Sequence, residues 1–397
     1  MTRILFVDDE PRILESLRLA LRKRRRVWSM EFALGGAAGV EALERDDVDL
    51  VISDMRMPTV SGVDVLRSAK RLRPEAVRIA LSGQADTAST LEVVTLAHQF
   101  LSKPCDEGVI EATIERALAL HELLTSNELR AAVGDIDRLP TRPQIFEEVL
   151  TALSDPRSSS GEISALISKD LSLAARLLQL VNSSFFATAR RCSRVEEAVK
   201  MLGHNVVRDV VLVLGVYRLS LPAGSRLCLT TFEQHSILVA NLAARIWARR
   251  PRAEDLYTAA LLHDIGVLVR AVTSPSALEA DLDEAHRRGA TLEEVEAAQG
   301  EVSHAKLGAY LLGIWGFPLE VVELVAYAGA PSACASESRS AAAVIYLADA
   351  LICGARGEAS PRLNDQVILD ARLPEPLEHW VVVAKEIVAQ ATIEEQS

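Results

Sequence analysis

The stretch Ile4-Leu5-Phe6-Val7-Asp8-Asp9-Glu10, an apolar run that ends in three consecutive carboxylates, decides the reading of the amino-terminal part of this chain. Val51-Ile52-Ser53-Asp54 is a second apolar run ending in an acid, and Phe100-Leu101-Ser102-Lys103-Pro104 is a third ending in a cation. Runs this short and apolar read as parallel strands buried on both faces, and such sheets gather their polar chemistry at the carboxyl edge. The expectation is an α/β doubly wound parallel sheet whose strand ends bring Asp8, Asp9, Asp54 and Lys103 into one crevice.

Close carboxylates raise one another's pKa unless a cation sits among them, and an all-oxygen donor set suits a hard ion such as magnesium. Asp54 would then act as a carboxylate nucleophile toward a phosphoryl donor, with the metal and Lys103 balancing charge on the phosphoryl oxygens. Ser82, which ends the run Arg78-Ile79-Ala80-Leu81, offers a hydroxyl at the neighbouring strand end. The blander alternative is that each acid merely caps a helix, as Asp8 to Glu10 ahead of Pro11 would do for a helix through Ile13, Leu14, Leu17 and Leu21. Four such features in order argue against it.

In these residues the first 120 or so positions resemble a response-regulator receiver domain, a flavodoxin-like fold. The resemblance rests on Asp8-Asp9, Asp54, Met57-Pro58, Gly62, Ser82, Phe100 and Lys103-Pro104. It implies that Asp54 is the phosphoacceptor. It also implies that Asp9, Asp54 and the backbone carbonyl of Arg56 hold magnesium, with Asp8 reaching the ion through water. Ser82 and Phe100 would be the switch pair, and Lys103 a phosphoryl-binding residue. The phosphodonor implied is a cognate histidine kinase or a small phosphodonor.

Whole-chain properties bound the alternatives. The chain has 397 residues, 49% of them hydrophobic, enough for two or more domains with real cores. No apolar stretch reads as long enough to span a bilayer, and Met1-Thr2-Arg3 followed at once by a strand lacks signal-peptide form, so the expectation is a cytoplasmic protein without a membrane partner. Five cysteines (Cys105, Cys192, Cys228, Cys334, Cys353) are scattered without CxxC pairs, which indicates neither a disulfide framework nor a zinc knuckle. The net charge of −12 argues against a DNA-binding output. The basic run Arg22 to Arg26 reads as a solvated helix end.

Gly108 to Gly134 reads as one helix without a breaker, with Ile110, Ile114, Ala117, Leu118, Leu124 and Leu129 at roughly helical spacing. It either packs on its own chain or forms a dimer seam, so a homodimer stays open. After Leu139-Pro140 the strand pattern ends. Ile145, Val149, Leu150 and Leu153, then Leu171, Ala174, Leu177, Leu178 and Val181, trace successive apolar helix faces. Ser158 to Ser160 and Ser193 mark helix entries and Gly203 a turn. The organisation expected is a receiver over 1–122, a linker helix over 123–138, an all-α domain over 139–350 and a helical tail over 351–397.

Chemistry in the second part falls to His235, His263-Asp264, His304 and Asp349. Histidine with carboxylate ligands suits zinc, manganese or iron, and such a metal activates water against a phosphoester. The order His, then His-Asp, then a distant Asp resembles the HD superfamily of metal-dependent phosphohydrolases. Asp170-Leu171-Ser172-Leu173, Leu180-Val181-Asn182-Ser183, Ala198 to Gly203, His304 to Gly308 and Trp315-Gly316-Phe317-Pro318 resemble more narrowly the HD-related output domain, HDOD. Departures from the catalytic relatives count against turnover. In phosphodiesterases of the HD-GYP type, which hydrolyse cyclic-di-GMP, a lysine follows His-Asp-Ile-Gly; here that position is Val267, which leaves a phosphate without its cation. Where related domains keep paired histidines, this chain reads Tyr327-Ala328-Gly329-Ala330-Pro331. A one-metal site from His235, His263, Asp264 and Asp349 survives; the alternative is that these are inherited residues hydrogen-bonded in a helical core.

The reading reached from sequence is a response regulator of two-component signalling, in which phosphorylation of Asp54 controls a helical output domain that binds a protein or ligand. The alternative is a receiver-controlled metal-dependent phosphohydrolase acting on a cyclic dinucleotide or another nucleotide. The cofactors expected are magnesium in the receiver and a transition metal in the helical domain. The downstream partner is not legible.

Overall fold

The computed structural model describes residues 2–82, 96–103, 107–120, 124, 126–134, 136, 143–155, 157–182, 192–216, 221, 225–248, 250–300, 302–334 and 338–395. The chain forms two compact units. The first comprises Met1–Asp137 with Leu177–Cys192 and Leu311–Phe317; the second comprises Arg138–Arg176, Ser193–Tyr310 and Pro318–Ser397.

The first unit contains the parallel sheet that the apolar runs predict. Its strands are β1 (Thr2–Asp8), β2 (Trp28–Leu34), β3 (Leu50–Asp54), β4 (Val77–Ser82) and β5 (Gln99–Ser102), in the order β2-β1-β3-β4-β5, all parallel. Ile4 to Val7 and Leu50 to Ile52 are almost wholly shielded from solvent, as strands covered on both faces must be. Phe6 lies in register with Phe32, and their rings stack at 4.9 Å.

Helices α1 (Pro11–Ala20), α2 (Gly36–Arg45) and α3 (Gly62–Leu72) follow strands β1, β2 and β3. α1 begins on a proline, whose missing N–H costs nothing there, and buries Leu14 and Leu17. α3 is opened by a capping box: Ser61 accepts from the Asp64 N–H while the Asp64 carboxylate accepts from the Ser61 N–H. The basic run forms a tight helical turn over Leu21–Arg26. Within it Arg24 pairs with Glu111 and Glu115, so the run is partly tied down rather than freely solvated.

The single helix expected over 108–134 is instead two, α4 (Glu107–Ala119) and α5 (Asn127–Gly134). The Ser126 hydroxyl accepts from the Leu129 N–H at 3.3 Å, giving α5 its own start; a serine that caps an amide competes with helix continuation.

Among the described residues the second unit is helical. Its elements include α6 (Pro143–Ser154), α7 (Ser160–Ile167), α8 (Leu171–Asn182, its first turns only), α9 (Val195–Val216), α10 (Leu229–Trp247), α11 (Ala253–Leu261) and α12 (Ile265–Thr273). They continue with α13 (Pro275–Arg288), α14 (Leu292–Gln299), α15 (His304–Ile314, its amino-terminal part), α16 (Leu319–Ala326), α17 (Arg339–Arg356), α18 (Asp365–Ala371) and α19 (Leu377–Glu395). Ser159 with Glu162 and Thr291 with Glu294 form capping boxes at α7 and α14. Gly203 breaks α9 at φ 72°, the turn its sequence position predicts.

α10 packs against α11, α17 and α19, and α17 also packs against α11, α16, α18 and α19. The segment Ala253–Thr273 is, by length and composition alone, apolar enough to cross a membrane, contrary to the expectation of no such stretch. It is 72% buried inside the unit and is broken at Leu262-His263-Asp264, so burial of both helices in the core accounts for its hydropathy.

Candidate functional site

At the carboxyl edge of the sheet the ends of β1, β3 and β5 bring four charged groups together. Asp8, Asp9 and Asp54 each offer a carboxylate oxygen, and these atoms lie within 4.8 Å of one another. The Lys103 ammonium sits 2.7 Å from Asp8 Oδ2 and 3.0 Å from Asp54 Oδ1. Asp8 is 1% exposed and Asp54 6%, so the ion pairs are formed out of bulk water. Burial pushes the Asp54 carboxyl above its usual range, with the nearby Asp8 charge adding to the effect and Lys103 working against it. Burial alone would lower the Lys103 ammonium, but hydrogen bonds to Asp8 and Asp54 outweigh it and raise the value.

The loop after β3 is held close to Asp54. Met55 N donates to the Leu81 carbonyl at 3.0 Å and Gly62 N to the Met55 carbonyl at 3.2 Å. A side chain on Gly62 would overlap the Asp54 carbonyl oxygen, so the approach requires glycine. Thr59 has φ 71°, a left-handed conformation that a β-branched residue adopts only under constraint. Arg56 follows Asp54 by two residues, and its backbone hydrogen bond lowers the Asp54 carboxyl slightly against the burial effect. Ser82 and Phe100 lie in β4 and β5, but their side chains lie outside the described residues. The three-oxygen set fits a hard divalent cation such as magnesium.

The second unit holds a cavity of about 570 Å³ lined by side chains of α10, the α11–α12 junction, α14, α15 and α17. His235, from α10, points Nε2 at Asp349 Oδ1 (3.1 Å) and toward Asp264 Oδ2 (4.0 Å). His263 and Asp264 occupy the break between α11 and α12, with His263 Nε2 3.3 Å from Asp264 Oδ2. The four residues expected from sequence as a metal set therefore surround one space.

One atom in that space tests whether a metal suits it. His263 is 3% exposed, and its Nδ1 lies 2.7 Å from the Ala260 carbonyl, which can only accept; Nδ1 therefore carries the proton. Its Nε2 then presents a lone pair that finds no hydrogen-bond partner, beside a carboxylate that is also an acceptor. Two acceptors held together in a buried site are what a cation between them would satisfy. The donor set fits a transition metal.

His304, named from sequence but left out of the metal set, belongs to the same cluster. Its Nε2 is 3.3 Å from Asp264 Oδ1, and its Nδ1 donates to Glu296 Oε2 at 2.8 Å. Glu296 also accepts from Arg270 Nη1 at 2.7 Å, and Arg270 pairs with Asp281. Burial opposes charge on His304, but Asp264 and Glu296 outweigh it and raise the imidazole well above its ordinary value. Burial likewise opposes charge on Asp264, and the hydrogen bond and charge of His304, with His235 beyond it, hold it well below the usual carboxylate range.

Sequence reasoning missed several lining residues. Arg226 and Arg356 stand in the cavity wall, each paired with an acid, Asp283 and Glu358 respectively. A side chain on Gly329 would overlap the Glu293 carboxylate, which packs directly against this stretch. Cys353 Sγ lies 3.3 Å from Asp349 Oδ1. Asp349, Cys353 and Arg356 stand at i, i+4 and i+7 of one helix, a spacing legible in the sequence once α17 is assigned. Arg226 and Glu293 carry no comparable signal, because loop and helix entry bring them in from elsewhere in the chain.

Residues 4–115 match the family model of the response regulator receiver domain, and residues 139–331 match that of the HDOD domain. An uncharacterized protein of Treponema pallidum is 28% identical over 224 residues, 56% of this chain and 43% of that protein. The transcriptional regulatory protein GlrR of Escherichia coli is 30% identical over 154 residues, 38% of this chain and 34% of that protein. The chain thus spans less than half the length of these curated relatives. Among solved structures, the MmoQ response regulator of Methylococcus capsulatus is similar at 23% identity and a TM-score of 0.48, covering 59% of this chain and 90% of that one. The receiver domain of an HD domain-containing protein from Pseudomonas fluorescens is similar at 28% identity and a TM-score of 0.28, covering 30% of this chain and 94% of that one.

Proposed function

We propose that this chain, which joins a response-regulator receiver domain to an HDOD domain and is homologous to response regulators of two-component signalling, is switched by phosphorylation of Asp54 and acts through its helical part by binding. The observation that carries this reading is the Asp8, Asp9, Asp54 and Lys103 constellation at one sheet edge. A carboxylate oxygen of Asp54 attacks the phosphorus of the donor. The bond from phosphorus to the leaving group breaks, the leaving group takes the bond pair, and an acyl phosphate remains on Asp54.

Lys103 already faces both Asp8 and Asp54, and its ammonium would follow the transferred phosphoryl oxygens. Asp9, Asp54 and the Arg56 carbonyl, with Asp8 beside them, would hold magnesium, which would supply the remaining positive charge. Ser82 and Phe100 would read the new group, the hydroxyl by binding it and the ring by filling the space the hydroxyl leaves. A phosphoryl group shifts a population only by binding one state better than the other, and that hydroxyl supplies the difference. The phosphodonor is a cognate histidine kinase or a small phosphodonor, and the setting is the cytoplasm.

Acetyl phosphate with magnesium is expected to add one phosphoryl group to the wild type and none to Asp54→Asn, read by intact mass. Equal labelling of the variant would overturn the assignment.

A second reading of the helical part, as a metal-dependent phosphohydrolase, is favoured by two features of its cavity. These are the unpartnered Nε2 of His263 beside Asp264, and the two arginines in the wall. His235, His263, Asp264 and Asp349 would hold the transition metal in either reading, and such a metal supplies Lewis acidity. Metal-dependent turnover of a phosphoester that disappears in Asp264→Ala would establish the second reading over the first.

A further inference from the structure

We propose that Cys353 is a thiolate ligand in the metal site of the helical unit, which makes that site one for zinc. The inference rests on the reading of that cluster as a transition-metal site.

α17 carries Asp349 and Cys353 one turn apart, so both side chains leave the same face and reach the same cavity. Cys353 is 8% exposed, with Sγ 3.3 Å from Asp349 Oδ1; that oxygen is 3.1 Å from His235 Nε2. The three donor atoms all lie within 4.8 Å of one another. Donors about 2.0–2.3 Å from a shared zinc ion, at tetrahedral angles, are about 3.3–3.8 Å apart. The Asp349 to His235 and Asp349 to Cys353 separations are already close to that spacing, so loading the site needs little movement of either helix.

The opposite wall supplies the independent observation. His263 aims an unpartnered Nε2 into the same cavity, and Asp264 Oδ2 lies 3.3 Å from it and 4.0 Å from His235 Nε2. His235 therefore belongs to both groups of donors, His235–His263–Asp264 and His235–Asp349–Cys353. A set of imidazole, carboxylate and thiolate is softer than imidazole with carboxylate alone and selects zinc over manganese or magnesium. A thiolate ligand thus ties the metal of this cavity to a residue that the histidine and aspartate pattern does not include.

The test uses the full chain, stripped of metal and titrated with cobalt(II) in excess magnesium to fill the oxygen-only site of the receiver. A sulfur-to-cobalt charge-transfer band in the near ultraviolet is expected in the wild type and in Cys228→Ser, the other cysteine on the cavity wall, and is expected to be lost in Cys353→Ser. Zinc X-ray absorption of the wild-type protein, expected to show one sulfur neighbour at about 2.3 Å, keeps the proposal testable should Cys353→Ser not fold. Stoichiometric cobalt without a sulfur band, or zinc without a sulfur neighbour, would overturn the role of Cys353 and leave the metal reading standing. No bound cobalt or zinc at all would overturn both.

Discussion

Gly266 and His304 are pressed together so closely that the backbone carbonyl of His304 fills the space a Cβ on residue 266 would need. The same crossing sets Gly308 against Ile265 and Gly266. Two glycines thereby let α12 and the start of α15 approach at backbone distance, and this approach brings His304 within reach of Asp264. Gly266→Ala is expected to force the helices apart at a cost of about 1–3 kcal/mol, the usual range for overpacking. Thermal unfolding should show a midpoint lower by about 2–12 °C, and cobalt affinity should fall with it. An unchanged midpoint and affinity would mean that the crossing does not hold the cluster.

Lys103 is the cation between two buried carboxylates, and Lys103→Ala leaves Asp8 and Asp54 facing each other. Removing one partner of a buried pair costs about 3–5 kcal/mol. The variant is expected to unfold at a lower temperature than the wild type in EDTA and to recover most of the difference in magnesium, which replaces the missing charge. Phosphorylation of Asp54 should slow by about 100-fold or more, as when a charge-stabilising donor is removed.

Asp54 carries a carboxyl raised by burial, so folding favours its protonated form. A group with a raised folded value contributes stability below its ordinary pKa and loses it as pH rises through the folded value. Ionised Asp54 therefore weakens the metal-free fold at neutral pH. Asp54→Asn is expected to melt above the wild type at pH 7 in EDTA, with the gap closing toward about pH 4, the ordinary carboxylate range. A gap independent of pH would show that charge on Asp54 is not its source.

Glu296 has the opposite sign. Burial would raise it, but His304 and Arg270 hold it below the ordinary value. Its contribution is present above the ordinary carboxylate pKa and is lost as pH falls; that of His304, raised well above the ordinary histidine value, is present at lower pH and lost as pH rises through the raised value. The metal-free pair is therefore strongest between those limits. Glu296→Gln is expected to cost about 3 kcal/mol near neutrality, with a difference that shrinks below about pH 4, measured by denaturant unfolding across the pH range.

Cyclic-di-GMP hydrolysis is expected to be negligible with manganese, iron or zinc. Val267 stands where the HD-GYP pattern has a lysine, and the stretch Tyr327-Ala328-Gly329-Ala330-Pro331 holds no paired histidines. Product analysis beside Asp264→Ala as the blank checks this; turnover confined to the wild type would reverse it.

The receiver fold was legible because its signals are local. Apolar runs of four or five residues ending in an acid or a cation specify buried parallel strands, and a parallel sheet puts all its carboxyl ends on one edge. Asp8, Asp9, Asp54 and Lys103 could therefore be grouped without knowing any distance, and the sheet brings them to one edge. The helical half was legible as helices, because apolar positions recur at helical spacing in each segment. The break at Ser126 was not, since one hydroxyl capping Leu129 outweighs a continuous apolar pattern.

What the sequence by itself determined, then, is the order of elements, the class of each half and the residue types that end buried strands. These follow from periodicity and from the cost of burying backbone without hydrogen bonds. Only the tertiary structure decided which side chains share the helical cavity. Helices separated by a hundred residues meet there, so Arg226, Glu293, His304 and Cys353 join His235, Asp264 and Asp349 through packing. Helix packing is set by the shapes of whole faces, as the glycine crossing at Gly266 and Gly308 shows, and spacing along one segment does not encode it.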